Sequence, residues 1–101
     1  TKVFMIYCDG AFHQGNTKEP YSYKDTDLYF RGAVNTRAHF QYIHNRYNLT
    51  NADNVILSGS SAGGISTFIW VDYLKSFVGN SRVKIHSIID SGIFLDQSQI
   101  I

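Results

Sequence analysis

The residues of this chain best suited to chemistry are Gly59-Ser60-Ser61-Ala62-Gly63, which fit the pattern G-x-S-x-G. The letters alone carry little weight, but the setting carries more. The block follows the apolar stretch Val55-Ile56-Leu57 and precedes an apolar run from Ile65, which is the strand–turn–helix context of a nucleophile elbow. In such a corner Ser61 stands clear of the sheet on a strained backbone. Gly59 and Gly63 are then small because larger residues would collide with strand and helix. The N–H of Ala62, with the partial positive charge at the helix start, would stabilise an oxyanion formed on a carbonyl attacked by Ser61. Gly64 removes one more Cβ near that pocket. The plainer alternative is a Ser/Gly turn joining a strand to a helix, with or without a phosphate at the helix start. Neither G-x-x-x-x-G-K-[ST] nor G-x-G-x-x-G is present, so the usual marks of nucleotide binding are missing.

The elements that must position this corner follow from periodicity. Val3 to Tyr7 is a continuous apolar run, as expected of a strand covered on both faces. Asp9 to Asp27, polar and containing the single proline Pro20, reads as a long loop. Leu28 to about Tyr47 carries a helical stripe of Phe30, Val34, Ala38 and Tyr42 with Ile43 beside it, and Asp27 fits an N-cap. Residues 48–54 have turn chemistry, and Val55–Leu57 is a short buried strand. Ile65 to Val78 is a nearly all-apolar helix, expected to be deeply packed and ended by Gly79-Asn80. Val83 to Ile89 is a third strand. The alternation predicts an α/β chain with a three-stranded, mostly parallel sheet and two right-handed crossover helices. So thin a parallel sheet is expected to continue with further strands on either side.

Composition narrows the function classes. With 9 basic and 8 acidic residues in 101, the net charge of +1 argues against a nucleic-acid-binding domain with a dominant basic face. At 44% hydrophobic and 17% charged, the chain is not of the disordered class. No apolar run is long enough to span a bilayer, and Thr1-Lys2 leads straight into Val3 without a signal-peptide pattern. One cysteine, Cys8, allows no internal disulfide, and no Cys/His set has zinc spacing, so neither metal nor cofactor is expected. Cys8 reads either as a small buried residue or as half of a disulfide made elsewhere. Asn48-Leu49-Thr50 is an N-glycosylation sequon on an expected surface turn, making Asn48 a modification candidate.

A serine nucleophile needs a base and an acid, in α/β-hydrolases in the order Ser, Asp or Glu, His. The only histidine after Ser61 is His86, expected in the middle of a strand, and the only acid between them is Asp72, inside the helix that follows the corner. His39 and His44 read as ordinary helix residues, and His13 as a solvated loop residue near Asp9. Asp90 ends the third strand and is expected to shape the following turn rather than transfer protons. No triad closes within these residues.

Ile56-Leu57-Ser58-Gly59-Ser60-Ser61-Ala62-Gly63-Gly64 resembles the nucleophile block of the pectin acetylesterase and Notum carboxylesterase family. Tyr7-Cys8-Asp9-Gly10-Ala11, Leu28-Tyr29-Phe30-Arg31-Gly32 and Asp90-Ser91-Gly92-Ile93-Phe94-Leu95-Asp96 resemble three further blocks of it, in the same order. The stretches Phe12 to Asp27 and Ala33 to Asn54 match less. The resemblance implies an α/β-hydrolase fold, residues 1–101 being the central part of one domain incomplete at both ends. It implies Ser61 as nucleophile and the Ala62 amide as oxyanion donor. It also implies that a glycine-rich donor segment lies upstream, that the acid and histidine lie downstream, that Cys8 pairs outside this stretch, and that the protein is secreted.

The expected activity is that of a serine carboxylesterase removing O-acetyl groups from a pectin-type polysaccharide, the isolated stretch being inactive. Tyr21, Tyr23 and Tyr29 are candidates for stacking on sugar rings. Two other readings stand beside it: a Notum-like enzyme that removes a fatty acyl group from a protein, and a non-catalytic binding protein that keeps the scaffold. A shallow polar cleft beside Ser61 would favour the sugar esterase, and a large apolar pocket the lipid deacylase.

Overall fold

A computed structural model describes residues 1–95. Asp96, the last residue of the fourth resembling block, lies outside them. The order of elements is β1 (Tyr21–Tyr23), β2 (Thr26–Leu28), α1 (Gly32–Tyr47), a 3-10 turn (Leu49–Asn51), β3 (Asn54–Ser60), α2 (Ala62–Val78) and β4 (Lys84–Asp90). The fold is α/β. Strands β3 and β4 are parallel and in register from Asn54 opposite Lys84 to Ser60 opposite Asp90, with α2 as the crossover between them. The core is built where α1, α2 and the start of β4 meet. Phe40, Trp70, Leu74, Val78 and Val83 are buried there, with Ala33 and Leu49 at its ends. Phe40 meets Trp70 edge-on at 6.2 Å, and Tyr73 stacks on Phe40 at 6.0 Å. Burying one such side chain contributes on the order of 2–3 kcal/mol.

Several sequence expectations are corrected. The described residues contain two parallel strands rather than three. Among the described residues Val3–Tyr7 pairs with no strand: Phe4 is 87% exposed and Ile6 is exposed, while Met5 packs against the core. Its residues line one cleft with those of β3 and do not pair with that strand. Strand β3 is longer than Val55–Leu57. It alternates exposed and half-buried, with Ile56 59% exposed, so only one face is covered. The loop from Asp9 to Asp27 contains the β1–β2 hairpin, with Tyr21 opposite Leu28 and the chain reversing at Lys24-Asp25, where Lys24 has φ 53°. The cue was the alternation Tyr21-Ser22-Tyr23, without the Asn-Gly pair that usually announces a tight hairpin.

Helix α1 starts at Gly32, not Leu28, and Asp27 is not its cap. Asp27 lies in β2 and accepts a hydrogen bond from Ser22 Oγ at 2.6 Å. The buried face of α1 is Ala33, Thr36 and Phe40, with Ile43 packed beside it, whereas Ala38 and Tyr42 are exposed. Thr36 turned the pattern, because its hydroxyl is satisfied internally by the His13 carbonyl at 3.3 Å. Helix α2 is not deeply packed all round: Phe68 is 69% exposed and Ile69 is open too, while its covered side meets the two strands and Phe40 of α1. Both helices end in left-handed residues whose N–H closes the last turn. These are Asn48 (φ 52°, to His44 O, 2.8 Å) and Gly79 (φ 63°, to Lys75 O, 3.1 Å). Among the described residues no helix is long and apolar enough to cross a membrane.

Candidate active site

Strand β3 stops because Ser61 turns the chain. Its φ of 55° and ψ of −117° lie where residues with a Cβ rarely go, and α2 begins at the next residue. Three backbone bonds hold the corner. The Ser61 N–H donates to the Asp90 carbonyl at 2.9 Å, anchoring it to the end of β4. The Ser61 carbonyl accepts the N–H groups of Gly64 (2.9 Å) and Ile65 (3.1 Å), opening the helix. Ala62, the first helical residue, presents its N–H at the helix's positive end.

Clearance does the rest. A Cβ on Gly59 would overlap the carbonyl of Gly63. One on Gly64 would come to 2.7 Å from the Asp90 carbonyl and 2.9 Å from Gly92 Cα. Gly59 and Gly64 are therefore sterically required. At Gly63 a Cβ would meet nothing within 4 Å, so the clash expected there does not occur, and its backbone is needed only as the surface on which Gly59 rests. Gly92 completes the contact from the far side, its own Cβ position lying 2.8 Å from the Gly64 backbone.

Ser61 lines a cleft of about 580 Å³. Its lining is mixed: Val3, Phe4, Met5 and Ile56 are apolar, Ser58, Ser60, Ser66 and Thr67 bear hydroxyls, and Tyr7 and His13 also face it. Tyr21, Tyr23 and Tyr29 do not line this cleft; the first two sit on the exposed hairpin. A carbonyl carbon brought to Ser61 here would place its oxygen near the start of α2.

The other titratable candidates are dispersed. Asp72 is on the exposed side of α2, well below Ser61. His86 is exposed in β4 and contacts Asn54 Oδ1 at 3.2 Å. His39 and His44 lie on α1, half-buried, each with an Nδ1 that finds no partner among the described residues, and His44 meets Phe77 edge-on at 5.8 Å. Asp90 contributes its backbone to Ser61, while its carboxylate takes the Ser91 hydroxyl at 3.4 Å. Cys8 is exposed, so it is not a buried packing residue. Asn48 is exposed at the end of α1, its side-chain oxygen accepting from Thr50 Oγ1 at 2.6 Å. No group of three potential metal ligands occurs among the described residues.

Two residues whose part the sequence did not reveal are central to this region. Asp9, only 4% exposed, accepts four backbone N–H groups: Ala11 (3.0 Å) and His13 (3.3 Å) on Oδ1, Gly15 (2.8 Å) and Gly32 (2.9 Å) on Oδ2. The last is the first N–H of α1, so this helix is capped by a carboxylate 23 residues upstream. Burial acts to raise the Asp9 carboxyl, but the four N–H bonds outweigh it and hold the group below its ordinary value. His13 is half-buried rather than solvated, with its ring 4.7 Å from that of Tyr7. Burial lowers its pKa, the Asp9 charge opposes that, and His39 adds to it; the net shift is downward, towards the neutral imidazole.

The sequence model of the pectinacetylesterase family matches residues 1–101. The chain belongs to that family. It is 30% identical over 95 residues to pectin acetylesterase 4 of Arabidopsis thaliana, covering 94% of this chain and 22% of that protein. Against pectin acetylesterase 11 of the same plant it is 33% identical over 101 residues, covering 98% and 24%. Against the palmitoleoyl-protein carboxylesterase notum2 of Xenopus laevis it is 34% identical over 98 residues, covering 93% and 19%. This pectinacetylesterase chain thus spans about a fifth to a quarter of the length of these curated relatives.

Proposed function

We propose that residues 1–101 are the central part of the domain of a secreted serine carboxylesterase, with Ser61 as nucleophile. The observation that carries this reading is the backbone of Ser61, a non-glycine residue at φ 55° held between the end of β4 and the start of α2 at the edge of a cleft. Family membership supports ester hydrolysis as the reaction class. The Ser61 hydroxyl adds to the ester carbonyl carbon, and its proton passes to a general base. The Ala62 N–H stabilises the oxyanion. The carbon–oxygen bond to the alcohol breaks, and the alcohol leaves with that proton. Water then attacks the acyl-serine, restoring the hydroxyl and releasing the acid.

The base and its orienting acid are supplied by the longer protein, as is a second oxyanion donor. The exposed apolar faces of α2 and β4, with Phe68, Ile69, Ile88 and Ile89, support further elements packing there. Cys8, exposed, is free to pair with a cysteine of such an element, and Asn48 is accessible for glycosylation. The substrate is an acetyl ester of a pectin-type polysaccharide, a choice supported by the hydroxyl-bearing residues among those lining the cleft and by the plant relatives' names. The apolar lining residues Phe4, Met5 and Ile56, with the notum2 relative's name, favour one second reading, removal of a fatty acyl group from a protein.

The test is hydrolysis of acetylated pectin and of 4-nitrophenyl acetate by the full-length protein. Ser61→Ala is expected to lower kcat by at least about 10³-fold, and the isolated 101-residue chain is expected to be inactive. Unchanged turnover in Ser61→Ala, or Ser61-dependent turnover by the isolated chain, would contradict the corresponding half of the proposal.

A further inference from the structure

The segment between Asp9 and Gly15 has a shape that it does not hold by itself. Gly10, Phe12 and His13 have φ of 62°, 56° and 57°, and the last two are side-chain-bearing residues in the left-handed region. Such conformations persist only where the surroundings enforce them. Here the enforcement comes from Asp9, whose carboxylate takes N–H groups from positions on both sides of the strained pair and from the start of α1. The fit is tight. A Cβ on Gly32 would overlap the Asp9 carboxyl, and one on Gly15 would lie 2.7 Å from it.

One carbonyl of the segment so shaped reaches both helices, and the Gly15 carbonyl adds a bond from the Ala33 N–H of α1 at 3.0 Å. The His13 oxygen accepts Thr36 Oγ1 of α1 at 3.3 Å and Trp70 Nε1 of α2 at 3.1 Å. Helix α2 is the one that starts at Ser61. Tyr7 is drawn in as well, its hydroxyl accepting the Phe12 N–H at 3.1 Å and its ring lying against His13. Tyr7 and His13 both face the cleft that Ser61 lines.

We infer that Asp9 is a positioning residue for the Ser61 cleft: through its four backbone bonds it sets Tyr7 and His13 as the wall that bound substrate touches. This rests on the esterase reading of Ser61. Its consequence is that Asp9 governs how well the ester is held more than how fast the acyl group is transferred.

The experiment is Asp9→Asn in the full-length protein. Asparagine keeps the shape, but its amide nitrogen donates and cannot accept two of the four N–H groups. With 4-nitrophenyl acetate, KM is expected to rise about tenfold while kcat stays within about threefold. The second readout is the titration of His13 by NMR, which a loss of stability alone would not move. Burial is the largest influence holding His13 below the ordinary 6.5, Asp9 pulls it upward, and His39 on α1 pushes it down. If the wall is released, His13 gains water and its pKa climbs. If the wall stays and only the charge is lost, its pKa falls further. A rise supports the inference; a fall, with KM as in the wild type, overturns it.

Should Asp9→Asn fail to fold, Thr36→Val removes one tether of the His13 carbonyl and leaves Asp9 intact. It is expected to move both readouts in the same direction by less, and two unmoved readouts would overturn the inference. Failure of the underlying reading is separable. A full-length protein that neither hydrolyses esters nor is labelled at Ser61 by a fluorophosphonate refutes the esterase, while the His13 titration still decides whether Asp9 builds the wall.

Discussion

At Ser61 the chain turns because atoms are absent; between Asp9 and Gly15 it turns because a charge is present. Both regions hold side-chain-bearing residues at positive φ. At the first, Gly59, Gly64 and Gly92 let strand, helix and the end of β4 approach until their backbones touch, and one carbonyl, that of Asp90, secures the serine. At the second, a buried carboxylate gathers four N–H groups. A corner held by clearance is insensitive to pH and intolerant of added carbon. A corner held by a carboxylate tolerates distant changes but depends on its ionisation.

The sharpest way to break the contrast is to add a methyl group to each. Gly59→Ala puts a carbon into the Gly63 carbonyl, a backbone atom with nowhere to go. It is expected to cost about 3 kcal/mol, the upper end of overpacking, read by chemical denaturation of the full-length protein. Gly32→Ala overlaps the Asp9 carboxyl and comes to 2.7 Å from His13 Cα. Both obstacles are firm, the carboxyl through its four N–H bonds and His13 Cα as backbone, so about 3 kcal/mol is expected here too. A neutral Gly32→Ala would mean that the Asp9 corner is not closed by contact.

Acid separates the regions next. The folded Asp9 carboxyl lies below its ordinary 3.8. Its contribution to stability is therefore complete above that value and is lost as pH falls from there through the folded value. Thermal melts between pH 5 and pH 2 should show a steeper acid loss for the wild type than for Asp9→Asn, and parallel curves would remove the carboxylate from the account. The smallest effect is expected at Gly63→Ala. The added carbon meets nothing and replaces a helical glycine, so stability should stay level or rise by up to about 1 kcal/mol. A loss as large as that of Gly59→Ala would mean that the corner is crowded from both sides.

The two regions also differ in how much of them could be read from the residues. The Ser61 corner writes itself into local spacing, because the strand before it, the small residues around it and the helix after it are consecutive. The parallel pair and its crossover were legible for the same reason, apart from strand ends. The Asp9 hub leaves almost no trace, since all four donors are backbone N–H groups and any residue but proline has one. Only Gly15 and Gly32, at the points of closest approach, hint at it. The buried stripe on α1 departs from its apolar letters because Thr36 is polar by type yet inward by position. The apolarity of Val3–Tyr7 predicts a third strand, but a strand needs a neighbour, and among the described residues this segment has none.

Trp70 is the single tryptophan of this chain, and its indole N–H is spent on the His13 carbonyl. Its ultraviolet emission therefore has a specific informant: while the loop is docked, the indole sits in a buried aromatic cluster with a fixed carbonyl partner. Undocking would hand the indole to solvent and redden the spectrum. Within residues 1–101 the indole is thus an optical gauge of the docked loop, readable without a label.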